Sequence, residues 1–327
     1  MFLYSLPLRL WLLLLFISAT IGGCSEPQEG EVYLFSFFKG NGEDGLHLAF
    51  SHDGYQWEEL GENHSFLMPQ AGEDRLMRDP CIIRGKNGKF HMVWTVSWNE
   101  RGIGYASSED LVHWSEQRYL PVMEHEPEAR NAWAPEVYYD EKEDQYLIFW
   151  SSTITGRYPE TQSDKEESYN HRMYFVTTKD FQEFSETGLF YEPGFNVIDG
   201  TIVKDGDEYV MFIKDETIEP AEKNIRITRS KQLPLGFGPA GPPITGDYWA
   251  EGPTTIKIGD KWMLYFDKYM EQKMGAAVSK DLVHWEDISD QVWFPAGMRH
   301  GTVLKITAVE FKKLRSSLPT SDEIVNP

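Results

Sequence analysis

An all-β, five-bladed β-propeller is predicted by three features of the sequence. These are a turn motif recurring at propeller-like intervals, strand-like runs spaced regularly between its copies, and two incomplete repeats at the chain ends that complement each other. The motif Asp-Leu-Val-His-Trp stands at Asp110–Trp114 and again at Asp281–Trp285. Related copies are Ser51-His52-Asp53-Gly54 with Trp57 and Thr178-Lys179-Asp180-Phe181 with Phe184, and Ser230-Lys231-Gln232-Leu233 is a weaker one. The copies recur roughly every 50–70 residues, a period that marks propeller blades or solenoid units.

Strand content decides between these. Ahead of each copy lies a short run rich in apolar, aromatic and β-branched residues: Gly45–Ser51, Gly102–Ser108, Met173–Thr178, Asn224–Arg229 and Met274–Ser279. Phe90–Ser97, Gln145–Ser151, Glu208–Lys214 and Lys261–Lys268 precede these as second strands, and Cys81–Arg84, Val137–Asp140, Thr201–Lys204 and Thr254–Ile258 as innermost strands. No long amphipathic helix is readable after residue 25, which argues against a helical solenoid. Four complete repeats begin at Arg78-Asp79-Pro80, Trp133-Ala134-Pro135, Ile198-Asp199-Gly200 and Ala250-Glu251-Gly252-Pro253. A fifth starts at Arg299-His300-Gly301 and soon runs out, while Glu31–Phe38 and Gly45–Trp57 supply strands without an inner partner. Joining the two ends closes the ring and leaves no open sheet edge.

With 327 residues, 41% hydrophobic, and 11 Trp, the chain can bury a large core, and one domain over residues 31–311 uses most of it. Residues 1–24 depart from the pattern: Arg9 precedes the apolar run Leu10–Ile17, followed by Ile21-Gly22-Gly23-Cys24. That order predicts a signal peptide ending in a lipobox-like sequence, with Cys24 as the lipidated residue, 25–30 as a short linker and 312–327 as a C-terminal tail. Ser25 and the acidic Glu26, Glu29 and Glu31 point to an exported bacterial lipoprotein in the periplasm, outer membrane or cell surface. Membrane contact is then through the lipid anchor alone, and a monomer is expected. A formal charge of −21 disfavours nucleic acid and anionic polymers and is compatible with neutral sugars. Cys81, on an inner strand, reads as a small buried residue.

The first residues of a propeller's inner strands converge at one mouth of the central funnel. In ring order these are Asp79, Ala134, Asp199, Glu251 and His300. Each alone is an ordinary turn carboxylate or histidine beside Pro or Gly. Three carboxylates placed in equivalent positions of three blades must instead be protonated, bound to a cation or used. A protonated and an ionised carboxyl group facing one bond are what glycoside hydrolysis requires, and separation across a funnel leaves room for an attacking water.

Taken together, these motifs resemble glycoside hydrolase family 43, the five-bladed propeller enzymes acting on arabinose-, xylose- and some galactose-containing glycans, over about residues 31–311. The resemblance implies an inverting glycosidase acting on oligo- or polysaccharides, with Asp79 as general base, Glu251 as general acid and Asp199 orienting that acid and raising its pKa. It also implies Arg299 as a sugar contact, with Arg78 beside it, and His300 near a structural calcium ion in the central channel, acting through coordinated water. The chemistry itself needs no cofactor. Trp133 and Trp249, just ahead of two inner strands, are candidate sugar platforms. His47, His91 and the turn aspartates Asp110 and Asp281 read as packing and capping groups. The long loop at 153–172, with Arg157, Tyr158 and His171, is expected on the pocket rim. By resemblance the preferred activity is removal of terminal α-L-arabinofuranose. A β-xylosidase, a galactan-directed exo-glycosidase and, in a different class, a non-catalytic surface glycan-binding lipoprotein are the alternatives. Fructan-cleaving relatives lack support because no Asn-Asp-Pro-Asn opens the chain. A phosphorylase would need a basic phosphate pocket, and none is evident.

Overall fold

The computed structural model describes Met1 and residues 31–318. The expected signal segment, Cys24 and the linker lie outside the described residues, as do 319–327. Five antiparallel sheets surround the centre. In chain order the strands are β1 (Glu31–Phe37), β2 (His47–Ser51), β3 (Glu58–Glu59), β4 (Arg78–Arg84), β5 (Phe90–Thr95), β6 (Ile103–Ser108) and β7 (Arg118–Leu120). They continue as β8 (Trp133–Asp140), β9 (Gln145–Thr153), β10 (His171–Thr178), β11 (Gly188–Tyr191), β12 (Val197–Asp205), β13 (Glu208–Asp215) and β14 (Asn224–Ser230). The last are β15 (Glu251–Ile258), β16 (Lys261–Lys268), β17 (Lys273–Ser279), β18 (Glu286–Asp287) and β19 (Gly301–Thr307), followed by helix α1 (Ala308–Ser316). Blades one to four are β4–β7, β8–β11, β12–β14 and β15–β18. The fifth is β19-β1-β2-β3, closed by pairing from Glu31↔Thr307 to Phe37↔Gly301.

Both faces of each middle strand are buried, which explains their near-continuous apolar runs. In β9, Leu147 and Phe149 pack toward the third blade with Met211 and Ile213, while Ile148 and Trp150 pack toward the first with Val93 and Tyr105. In β13, Val210 and Phe212 turn instead to Leu264 and Phe266 of the fourth blade. This is strand alternation, with successive side chains on opposite faces, used to build a core at each blade junction. Cores at the other two junctions join Tyr265 to Phe35 and Trp94 to Leu34.

The repeated turn is a capping device. Asp110 Oδ1 accepts from the amides of Val112 and His113, at 3.0 and 2.8 Å, and Ser108 Oγ accepts from those of Asp110 and Leu111. The same pattern surrounds Asp53, Asp180 and Asp281. The weak copy has Gln232 instead of the aspartate, and its blade has three strands. The exposed side of β14 is covered by 238–244, whose amides Gly238, Gly241 and Ile244 bond to carbonyls of Arg229, Ile227 and Ile225.

Helix α1 crosses residue 311, where the sequence pattern ends the domain. A capping box between Thr307 and Glu310 starts it, Phe311 and Leu314 join the core between the fifth and first blades, and Glu310 pairs with both terminal nitrogens of Arg84. Nine residues give too short a period to read against the strands before it. Among the described residues no helix is long and apolar enough to cross a membrane.

Candidate active site

Blades one to four all open with the same irregularity. Pairing is regular up to Arg78↔Thr95, Trp133↔Ser151, Ile198↔Lys214 and Glu251↔Asp267, slips, and resumes at Cys81↔Val93, Glu136↔Phe149, Thr201↔Phe212 and Thr254↔Tyr265. The slip is carried by a residue with positive φ: Asp79 at 52°, Ala134 at 46°, Asp199 at 54° and Gly252 at 59°. Aspartate tolerates this region better than most residues, and glycine occupies it freely. The pairing therefore corrects one expectation: Glu251 is not equivalent to Asp79 and Asp199. It is one position earlier, in line with Arg78, Trp133 and Ile198. A Cβ on Gly252 would lie 2.3 Å from His300 Cγ, so glycine is what lets the histidine approach.

The inner-strand starts surround a cavity of about 360 Å³, lined by Asp79, Asp199, Glu251, His300, Arg78 and Arg299 together with aromatic and loop residues. Asp79 Oδ1 lies 3.2 Å from His300 Nδ1, and its Oδ2 accepts from Thr95 Oγ1 at 2.8 Å. Burial acts to raise the pKa of Asp79, but the hydrogen bond and charge of His300, with Arg78, outweigh it and leave it at about 2. Burial acts to lower that of His300, but Asp79, Asp199 and Glu136 hold it at about 9. The two groups form a buried imidazolium–carboxylate pair.

Asp199 accepts from the Gly252 amide at 2.9 Å. Burial, reinforced by the charges of Glu251 and Asp79, raises its pKa to about 6 against the pull of His300 and Lys214. Glu251 shifts the other way. Burial would raise its pKa, yet Lys214, whose Nζ is 2.9 Å from Oε2, and Arg299, 3.0 Å from Oε1, lower it. In the free protein the two carboxyl groups thus shift in opposite directions, Asp199 upward and Glu251 downward, because two cations face Glu251. Arg299 also bonds Asp267 at 2.8 Å, and burial beside Glu251 raises Asp267 to about 6.

Of the other sequence candidates, Trp133 lines the cavity, with its Nε1 donating to the Trp98 carbonyl at 3.0 Å and Tyr169 behind it at 4.6 Å. Arg78 lines it too, its guanidinium 4.7 Å from the Phe38 ring and 4.2 Å from that of Trp98, and it donates to Asn41 Oδ1. Trp249 is outside the cavity lining. Its ring packs 6.0 Å from Tyr269 and 5.6 Å from Lys223 Nζ. The 153–172 loop forms a layer behind the wall: Arg157 pairs with Glu126, Tyr158 lies under Arg172, and buried His171 stacks on Tyr169 and packs at a tilt against Trp133. His47 and His91 are packing groups, His91 stacked on Phe181 at 4.2 Å.

Sequence reasoning missed Trp98, Glu216 and Tyr269 in the cavity wall and Lys214 behind Glu251. A usable signal existed. Each of the three wall residues follows the second strand of its blade, the connection that returns to the face where the first strand begins. Glu136 was missed as well. It lies two residues beyond Ala134 and accepts from Cys81, Thr201 and Thr302, and burial raises it to about 7. Around His300 the carboxylates act as counter-charges to an imidazolium. Among the described residues no three His, Cys, Asp or Glu side chains are grouped to hold a metal. Calcium asks for six to eight oxygen ligands, so this donor set does not itself form a calcium cage.

A family profile described as a probable glycosyl hydrolase domain, related to family 43, matches residues 28–312, and the chain belongs to that family. Its five-bladed fold is that of the family-43 enzymes. It is 27% identical over 220 residues to an α-L-arabinofuranosidase of Bifidobacterium longum subsp. longum, covering 56% of this chain and 20% of the relative. The chain thus spans about a fifth of that relative's length. The fold is similar to the crystal structure of an α-L-arabinofuranosidase from Lactobacillus brevis, with a TM-score of 0.51 and 18% identity over 65% of this chain and 72% of that one. It is similar also to an exo-β-1,3-galactanase from Phanerochaete chrysosporium, with a TM-score of 0.51 and 14% identity over 68% of this chain and 52% of that one.

Proposed function

We propose that this chain is an inverting exo-glycosidase that removes terminal α-L-arabinofuranose from plant-type polysaccharide side chains. The observation that carries the hydrolytic reading is the convergence of Asp79, Asp199 and Glu251 on one cavity with opposed pKa directions. The choice of sugar is supported by the similarity to the Bifidobacterium arabinofuranosidase.

Asp79, held ionised by His300 and Arg78, is placed to accept a proton from water attacking the anomeric carbon. That water's oxygen bonds to the anomeric carbon as the glycosidic bond breaks, and Glu251 delivers its proton to the departing oxygen. Glu251 must therefore be protonated in the complex. A sugar filling the cavity excludes water and strengthens the burial effect on Glu251, while Asp199 supplies the neighbouring negative charge that favours its neutral form. Trp133 offers an aromatic face, and Arg78 and Arg299 offer hydrogen-bond donors.

The test is sugar release from 4-nitrophenyl α-L-arabinofuranoside, β-D-xylopyranoside and β-D-galactopyranoside, with D79N and E251Q beside the unmodified protein. Release from the arabinoside with the inverted anomer seen first by proton NMR, lost in D79N, supports the reading. A retained anomer, or equal release by D79N, overturns it. Glycan binding without release from any natural arabinan, xylan or galactan favours the binding lipoprotein. Anchoring at Cys24 is a separate proposal, checked by palmitate labelling that C24A abolishes.

A further inference from the structure

We propose that Lys214 is a positioning residue for Glu251, held in place by a chain of alternating charges that reaches the long loop of the second blade. The proposal rests on reading Glu251 as the general acid. Lys214, on β13, has a side chain only 1% exposed, and its Nζ lies 2.9 Å from Glu251 Oε2 and 2.5 Å from Glu216 Oε2. The other oxygen of Glu216 lies 2.8 Å from Lys223 Nζ, which in turn lies 2.6 Å from Glu166 Oε2 in the 153–172 loop. Lys165 and Ser163 of that loop both reach Glu219, a second tie to the same stretch of the third blade.

A buried ammonium persists only with carboxylate partners, and burial makes each link sensitive to the next. Glu251 and Glu216 therefore share one cation, and whatever holds Glu216 away from Lys214 leaves more of it for Glu251. Lys223 does this from one side and is itself divided between Glu216 and Glu166. The loop thus reaches the acid through four residues without lining the cavity. The remaining groups facing Glu251 are Arg299 and His300 ahead of β19, Asp199 of β12, Asp267 of β16, and Tyr269 after it, with Arg78 of β4 acting across the cavity. Arg299 is divided between Glu251 and Asp267, so Lys214 is the cation tied through Glu216 and Lys223 to the loop.

The alternation fixes a sign for each end of the chain. Lys214→Met removes a cation from Glu251 and should raise its titration midpoint by about one pH unit or more, with Lys214→Arg restoring it. Glu166→Gln frees Lys223 to draw Glu216 away and should lower the midpoint by a smaller amount. The experiment is carboxyl ¹³C NMR titration of Glu251 in the free protein, which needs no substrate, followed by kcat/KM against pH on an arabino-oligosaccharide. There the basic limb should move upward in K214M. If Glu251 in K214M titrates with the unmodified protein, the proposal is overturned. An upward or absent shift in E166Q overturns the part played by the loop. E251Q provides the separate control for the acid. Losing oligosaccharide and nitrophenyl glycoside hydrolysis equally would refute Glu251 as proton donor whatever Lys214 does, because a nitrophenolate leaves with little need of one.

Discussion

Replacing His300 with glutamine is expected to raise the pKa of Asp79 and to carry the acid limb of the pH profile with it. The fall of Asp79 from 3.8 to about 2 corresponds to about 2 kcal/mol. The rise of His300 from 6.5 to about 9 corresponds to about 3 kcal/mol. The two differ because each group has further partners, Asp199 and Glu136 for the histidine and Arg78 and Thr95 for the aspartate, so the pair itself is worth on the order of the smaller figure. In H300Q, burial of Asp79 is opposed by Arg78, Thr95 and the more distant Arg299, and the limb should move from about pH 2 to near 4 or above. Stability gives an independent readout. The depressed carboxyl pKa contributes stability above pH 3.8 that is lost as pH falls through 2. The raised imidazole pKa contributes stability below pH 6.5 that is lost as pH rises through 9. The difference in urea unfolding free energy between the two proteins should therefore be largest between about pH 4 and 6.5 and shrink on both sides. A difference that stays flat from pH 3 to 9, together with an unmoved acid limb, would refute the imidazolium–carboxylate pair.

Three further outcomes follow from the same geometry. Gly252→Ala places a methyl group 2.3 Å from His300 Cγ at a backbone φ of 59°, so kcat should collapse with a stability loss of at least about 1–2 kcal/mol, read by activity and thermal melting. Asp110→Ala removes the acceptor for two turn amides and the partner of Lys313, which should cost about 1 kcal/mol in urea unfolding and leave kcat/KM unchanged. Trp133→Ala should raise KM far more than it lowers kcat, whereas Trp249→Ala, outside the cavity lining, should change KM little. Equal KM effects would argue against the platform.

The blade pattern was legible because strand period, turn chemistry and the Asp-x-x-x-Trp spacing are local. The Lys261–Lys268 strand was read to its ends, and Phe90–Ser97 was read two residues too long. Arg78-Asp79-Pro80 and Ile198-Asp199-Gly200 could be placed because a residue able to take positive φ precedes Pro or Gly. In Ala250-Glu251-Gly252-Pro253 that residue is the glycine, which moves the carboxylate back by one and toward Lys214 and Arg299. Four letters do not show this, since the slip depends on pairing with Asp267 and Tyr265.

The sequence by itself determined the number of blades, the closure of the ring by its two ends, and the identity of the carboxylates and histidine at its mouth. Tertiary structure decided in which direction the pKa of each of those groups shifts. Such an outcome depends on cations brought within hydrogen-bonding distance from other blades, Lys214 by β13 and Arg299 from the start of the fifth. Coulombic terms of that size fall off over a few ångströms and have no counterpart in sequence separation.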